Sequence, residues 1–162
     1  MSTSKPKRPT LRELGNEQFK AKNFESAKKF YTDAIKQKQD LALVHSNRSQ
    51  CNLNLHLYYD ALNDCNLAIE HGSGAMKTYY RRALALKELS RFRLALKDFE
   101  RVLKEDPSNS IVELEINYIK KLLANDTRID LKIYPKPEEF CSKRPMGVCA
   151  MTHVKAMGSH RY

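Results

Sequence analysis

The sequence predicts an all-α chain, a solenoid of three two-helix repeats closed by a capping helix, with flexible termini. Three observations point to it. The 162 residues slid against themselves give a period of 34, small residues recur at fixed places within that period, and a helix-breaking proline falls where the third unit ends. Gly15, Ser49 and Ala83 form one small column, Ala27, Ala61 and Ala95 a second, and Ala34, Ala68 and Val102 a third. Larger apolar columns run beside them: Phe24, Tyr58 and Phe92; Ile35, Ile69 and Leu103; Tyr31, Cys65 and Phe99.

Within each unit the columns resolve into two amphipathic segments of helical period, about 11–22 and 24–37, then 42–55 and 58–70, then 75–89 and 92–105. The small residues belong where two helices cross, since a bulky side chain there would hold the axes apart and forfeit close-packed contacts. Thr10 and Glu13, after Pro9, read as a capping box that starts the first helix, and Asp106-Pro107 stops the last unit.

A further amphipathic segment begins at Ser110, where Ser110 and Glu113 have the spacing of a second capping box. Ile111, Leu114, Tyr118, Ile119 and Leu122 are expected to form its buried stripe over the open edge of the last repeat, with Glu113, Asn117, Lys120 and Lys121 facing water. The resulting organisation is a basic arm at 1–8, repeats at about 8–41, 42–75 and 76–109, a capping helix at about 110–124, and a tail at 125–162. In the tail the period is lost, prolines 135, 137 and 145 break helices, and disorder is expected. It is read either as a second interaction motif or as the altered end of a longer protein.

The charge is 29 − 19 = +10 with a sequence pI of about 9.5, which points to partners that carry negative charge. No apolar run approaches the roughly 18 to 20 residues that span a bilayer, and a soluble, cytoplasmic chain is expected. The short run KPKR (5–8) leaves nuclear entry open. Cys51 and Cys65 fall in core columns, where cysteine acts as a small hydrophobe. Cys141, Cys149, His153 and His160 lack the short-pair spacing of a zinc site and read as flexible-tail residues, so no metal or other cofactor is expected.

The repeat closely resembles the tetratricopeptide repeat, whose pattern is met by Leu14, Gly15, Phe19, Ala27, Tyr31 and Ala34, with Gln39 where proline is usual. The third unit matches at Ala83, Phe92, Ala95, Phe99 and Pro107, while HGSGA (71–75) replaces the proline turn of the second. The resemblance implies a right-handed solenoid in which the first helix of each repeat lines a concave groove.

On those groove helices Arg12 and Asn16, and again Lys77 and Arg81, are four residues apart and share a face, with Asn47 between them. Three cations and two amides with no acid among them suit a ligand presenting two close carboxylates. The set is similar to the carboxylate clamp of tetratricopeptide co-chaperones, with Arg12 where lysine is usual. That resemblance implies binding of the C-terminal Glu-Glu-Val-Asp of cytosolic heat-shock protein 90 or 70 chaperones. Phe19, Gln50 and Leu53 are expected near a pocket for the residues before the terminal aspartate.

Other cations, Lys28, Lys29, Lys36, Lys38, Arg91 and Arg93, read as solvated faces. Nucleic-acid binding is the rival suggested by the charge, but Tyr79, Tyr80, Arg81 and Arg82 are successive and point about 100° apart, so they cannot form one stacking surface. No paired catalytic acids, activated nucleophile or phosphate-cradling glycine loop is present, and a non-enzymatic adaptor is expected. The alternative is a scaffold for assembly of another complex, of the axonemal dynein or RNA polymerase type, that binds a different acidic peptide.

Overall fold

The computed structural model describes residues 8–125 and folds them into seven helices, with no strand among the described residues. They are α1 (Leu11–Lys20), α2 (Phe24–Lys36), α3 (Leu41–Asn54), α4 (Tyr58–Glu70), α5 (Met76–Glu88), α6 (Phe92–Glu105) and α7 (Ser110–Asn125), each within about two residues of the expected span. Residues 1–7 of the arm and the tail from 126 on, with Cys141, Cys149, His153 and His160, lie outside the described residues. No described helix is long and apolar enough to cross a membrane.

The period of 34 extends to the backbone. Lys22, His56 and Ser90, each 34 residues from the next, turn the chain from the first to the second helix of their repeats with φ of 61°, 59° and 58°. A left-handed residue after a helix lets following N–H groups bond back to its last carbonyls. His56 N–H reaches Leu53 O and Leu57 N–H reaches Asn52 O, and both bonds recur at the corresponding residues of the other two turns. Between repeats, Lys38 (φ 53°) and Gly72 (φ 89°) form another such column, so glycine makes the turn that HGSGA places where proline is usual.

The small columns are buried as expected, Ala27, Ala34, Ala61, Ala68, Ala83 and Ala95 all fully. Gly15 shows the reason most sharply: a Cβ there would lie 2.5 Å from Cε1 of Tyr31. The Tyr31 ring therefore packs directly against the α1 backbone at Gly15, a place only glycine leaves open. Its cluster holds Ala27, Ala34, Val44 and Cys51, while a second cluster runs from Ala61 through Phe99 to Ile119.

Consecutive helices pack in order along the chain, α1 on α2 through α6 on α7. In addition α3 touches both α1 and α5, whereas α2, α4 and α6 meet one another far less. The layer whose members touch is the shorter, concave one, and it is formed by the first helix of each repeat.

The capping helix departs from expectation in two ways. Of the expected stripe Ile119 is buried and Leu122 half-buried, whereas Ile111, Leu114 and Tyr118 are 62%, 68% and 54% exposed, and Val112, Ile116 and Leu123 complete the packed face instead. Both stripes are apolar at helical spacing, and the helix is turned by Glu115, which accepts two bonds of 2.9 Å from Lys87 Nζ on α5. The N-cap is Asn109, not Ser110: Asn109 Oδ1 accepts from Val112 N–H, and Asn109 is itself held by Asp106. Ser110 is already inside the first turn, so the expected Ser110–Glu113 box does not form. The Thr10–Glu13 box does form, with Thr10 N–H donating to Glu13 at 2.7 Å and Glu13 N–H to Thr10 at 3.2 Å.

Candidate functional site

Arg12 and Asn16 stand on α1, Asn47 on α3, and Lys77 and Arg81 on α5, all on the concave layer. The structure joins several of them directly. Asn16 Oδ1 accepts from Tyr31 Oη at 2.7 Å and from Asn47 Nδ2 at 3.1 Å. Burial pushes the Tyr31 phenol up to about 12, so it keeps its proton and remains the donor. With its oxygen taken twice, Asn16 has only its NH2 left to offer, and the Gly15–Tyr31 packing that shapes α1 also orients this amide.

Arg81 is the centre of the arrangement. Its Nε donates to Gln50 Oε1 at 2.9 Å, and its Nη1 donates to the carbonyl and the hydroxyl of Ser46, both at 2.8 Å. Guanidinium has five N–H groups and these bonds occupy three, so both N–H groups of Nη2 remain. No carboxylate among the described residues lies within ion-pairing distance, and burial lowers the Arg81 pKa below its ordinary value. The acidic groups that act on it are Cys65, Tyr31 and Cys51, and burial pushes these up to about 11, 12 and 12, which keeps them neutral. A partly desolvated cation with no counter-ion carries a free-energy cost that a bound anion would offset.

Lys77 is exposed one turn before Arg81 and makes no ion pair among the described residues. Arg12 is less free than its sequence neighbours suggest. Asp40, in the turn before α3, lies 3.3 Å from Arg12 Nε, so one acid does reach the set, although the side chain of Asp40 is 60% exposed. Of the residues expected near a pocket, Phe19 packs on the Tyr31 cluster and against Phe24, Leu53 packs on the second cluster, and the Gln50 oxygen is bonded to Arg81.

Sequence reasoning missed a polar system just behind the groove. Asp64 is buried on α4 and accepts four bonds, from Arg48 Nε and Nη2, from Asn52 Nδ2 at 2.9 Å, and across 2.9 Å from His45 Nδ1. One repeat later Arg82 grips buried Asp98 with two bonds of 2.7 Å, and the Asp98 bonds raise the Arg82 pKa. The third partner is periodic too, Thr32 for Arg48 and Asn66 for Arg82. Its signal was in the sequence: Arg48 and Arg82, Asp64 and Asp98, and Thr32 and Asn66 are each 34 apart. In the run Tyr79 to Arg82, Tyr79 is buried beneath the Arg101 guanidinium, 3.9 Å from its ring centroid, and Tyr80 packs edge-on to Phe99. These residues do not make one stacking surface.

Comparison with known proteins agrees with this architecture. The family model for the tetratricopeptide repeat matches residues 77–109. The chain is 37% identical over 113 residues to rat serine/threonine-protein phosphatase 5, covering 70% of this chain and 23% of the phosphatase. It is 42% identical over 86 residues to the Hsp70/Hsp90 co-chaperone cns1 of Schizosaccharomyces pombe, covering 51% of this chain and 24% of that protein. The chain thus spans less than a quarter of these curated relatives. Among solved structures, the first TPR of Spaghetti (RPAP3) bound to HSP90 peptide SRMEEVD superposes with a TM-score of 0.67 at 32% identity, covering 70% of this chain and 90% of that one. With that domain matched over nearly its full length and the repeat recognised in its own right, the chain belongs to the tetratricopeptide repeat family.

Proposed function

We propose that the concave groove clamps the free C-terminus of an acidic peptide, the Glu-Glu-Val-Asp end of heat-shock protein 90 or heat-shock protein 70, and that the chain is a non-enzymatic, cytoplasmic co-chaperone or adaptor. In this reading Arg81 Nη2 and Lys77 face the side-chain and main-chain carboxylates of the terminal aspartate. The NH2 of Asn16 and the second N–H of Asn47 complete a donor-only surface, and Arg12 meets an acid further along the peptide.

One observation supports this most strongly: Arg81 is braced by three bonds, desolvated, and left without an acid. Charge-assisted bonds to a carboxylate are about twice as strong as neutral ones, and bracing removes the entropy such a bond would otherwise cost. The likeness to a domain bound to an EEVD-type peptide supports the choice of ligand.

The test is calorimetric titration with the SRMEEVD peptide as the free acid and as its C-terminal amide. The free acid is expected to bind, more weakly as salt rises, and the amide not at all. Lys77→Ala and Arg81→Ala are each expected to weaken binding about 10- to 100-fold. Equal affinity for acid and amide would remove the clamp and favour a scaffold reading an internal acidic segment.

A further inference from the structure

The bond from Arg81 to Gln50 is the bond from Asn47 to Asn16 moved on by one repeat. In each, a donor 31 residues downstream reaches the amide oxygen of the preceding groove helix, and both partners are displaced by 34 residues. At Gln50 the orientation of the amide is forced, because arginine has no acceptor and only Oε1 can face it.

The remaining bonds of Arg81 are backed by a chain of buried hydroxyls. Arg81 donates to Ser46 Oγ, which shares a hydrogen bond of 2.8 Å with Thr78 Oγ1, and Thr78 Oγ1 in turn lies 2.9 Å from Ser73 Oγ. Ser46 also uses its carbonyl to accept from Ser49 Oγ at 2.7 Å. The two bonds to Ser46 hold Nη1, one arm of the planar guanidinium, through both of its N–H groups. Gln50 supplies the second fixed point, at Nε, and does so with a neutral oxygen.

We infer that Gln50 is a positioning residue that aims Nη2 of Arg81 at the bound carboxylate, and that its neutrality keeps the charge of Arg81 for the ligand. This rests on the clamp reading above. A carboxylate at the same place would hold Nε as well but would occupy the charge, as Asp98 occupies that of Arg82.

The experiment compares Gln50→Leu and Gln50→Glu in the full chain, reading affinity for the free-acid SRMEEVD peptide beside thermal stability. Gln50→Leu is expected to weaken binding about 10-fold with little change in melting temperature. Gln50→Glu is expected to weaken it at least about 30-fold while raising the melting temperature, since Arg81 gains a half-buried charged partner. A merely structural glutamine would move both readouts together, so a matched loss of stability and affinity overturns the inference. So does wild-type affinity in both variants. Failure of the unaltered chain to bind the free acid overturns the clamp reading and this inference with it, whereas binding that Gln50→Leu leaves intact overturns the inference alone.

Discussion

Arg81 and Arg82 are neighbours on α5 with the same side chain, and the protein treats them in opposite ways. Arg82 turns inward to a buried carboxylate that raises its pKa, whereas Arg81 turns toward the groove and meets only neutral oxygens, and partial burial leaves its pKa lowered. A paired buried charge belongs to the scaffold, because removing one partner strands the other. An unpaired one is a standing cost, and such costs persist where a ligand is to be met. The 34-residue column of Arg82 contains Arg48, equally paired, while the column of Arg81 contains Asn47, so the divergence belongs to the columns and not to the two residues alone.

Replacing each arginine by methionine gives the sharpest separation. Arg82→Met leaves Asp98 buried and unpaired, and is expected to cost about 3 kcal/mol, or roughly 10 °C in melting temperature, measured by urea and thermal unfolding. Arg81→Met removes a cation with no partner, and is expected to leave stability unchanged or raise it by about 1 kcal/mol while peptide binding is lost. If both variants destabilise the chain equally, the two arginines are both scaffold and the contrast fails.

Much of this contrast was written in the sequence, but only half of it was legible. Apolar and small columns are easily read, because volume and hydrophobicity are properties of single residues, and they located six helices and the Gly15 crossing. Of the proposed clamp, the pairs Arg12 with Asn16 and Lys77 with Arg81 follow from spacing along single helices, whereas the set of five across α1, α3 and α5 came from the resemblance to the family. A hydrogen-bonded pair such as Arg48 with Asp64 requires two columns on different helices to be read together. Asp40, itself at a positive φ of 37°, reaches Arg12 from the turn before α3, a pairing between two elements that no local pattern announces. In α7 both apolar stripes have helical spacing, and the choice between them is made by contacts with α5 and α6, the Glu115–Lys87 pair among them, which the sequence of α7 alone does not announce.

The second prediction concerns the groups that surround Arg81. Cys51 and Cys65 have ordinary values of 9.0 and Tyr31 of 10.0, and in the folded chain they are pushed up to about 12, 11 and 12, in each case mainly by burial. Above pH 9 the unfolded chain therefore gives up protons that the folded chain keeps. The unfolded state then binds fewer protons, so stability is fully retained below about pH 9 and falls as pH rises toward 11 to 12. Urea midpoints at pH 8, 9.5 and 10.5 should fall in that order, with a shallower fall in a Cys51→Ala/Cys65→Ala variant. A flat profile would mean that these groups ionise freely, and that Arg81 has anionic neighbours after all.

The smallest effect belongs to Arg12, which stands between the two extremes: it has an acid partner, but an exposed one. The side chains of Arg12 and Asp40 are 31% and 60% exposed and their closest approach is 3.3 Å. An exposed pair of that kind contributes about 0.2 to 1 kcal/mol, so Asp40 competes only weakly with a ligand for Arg12. Asp40→Asn keeps the shape and tolerates the left-handed backbone, while it removes the competing charge. Affinity for the free-acid peptide is expected to rise about twofold at low salt, and the gain to vanish at high salt, with melting temperature within about 2 °C of the unaltered chain. An affinity that does not change would detach Arg12 from the ligand and leave Lys77 and Arg81 as the charges that hold it. A rise would place Arg12 with Arg81, as a cation that the fold leaves available, and would set the line between scaffold and site by whether the partner acid is buried rather than by whether one exists.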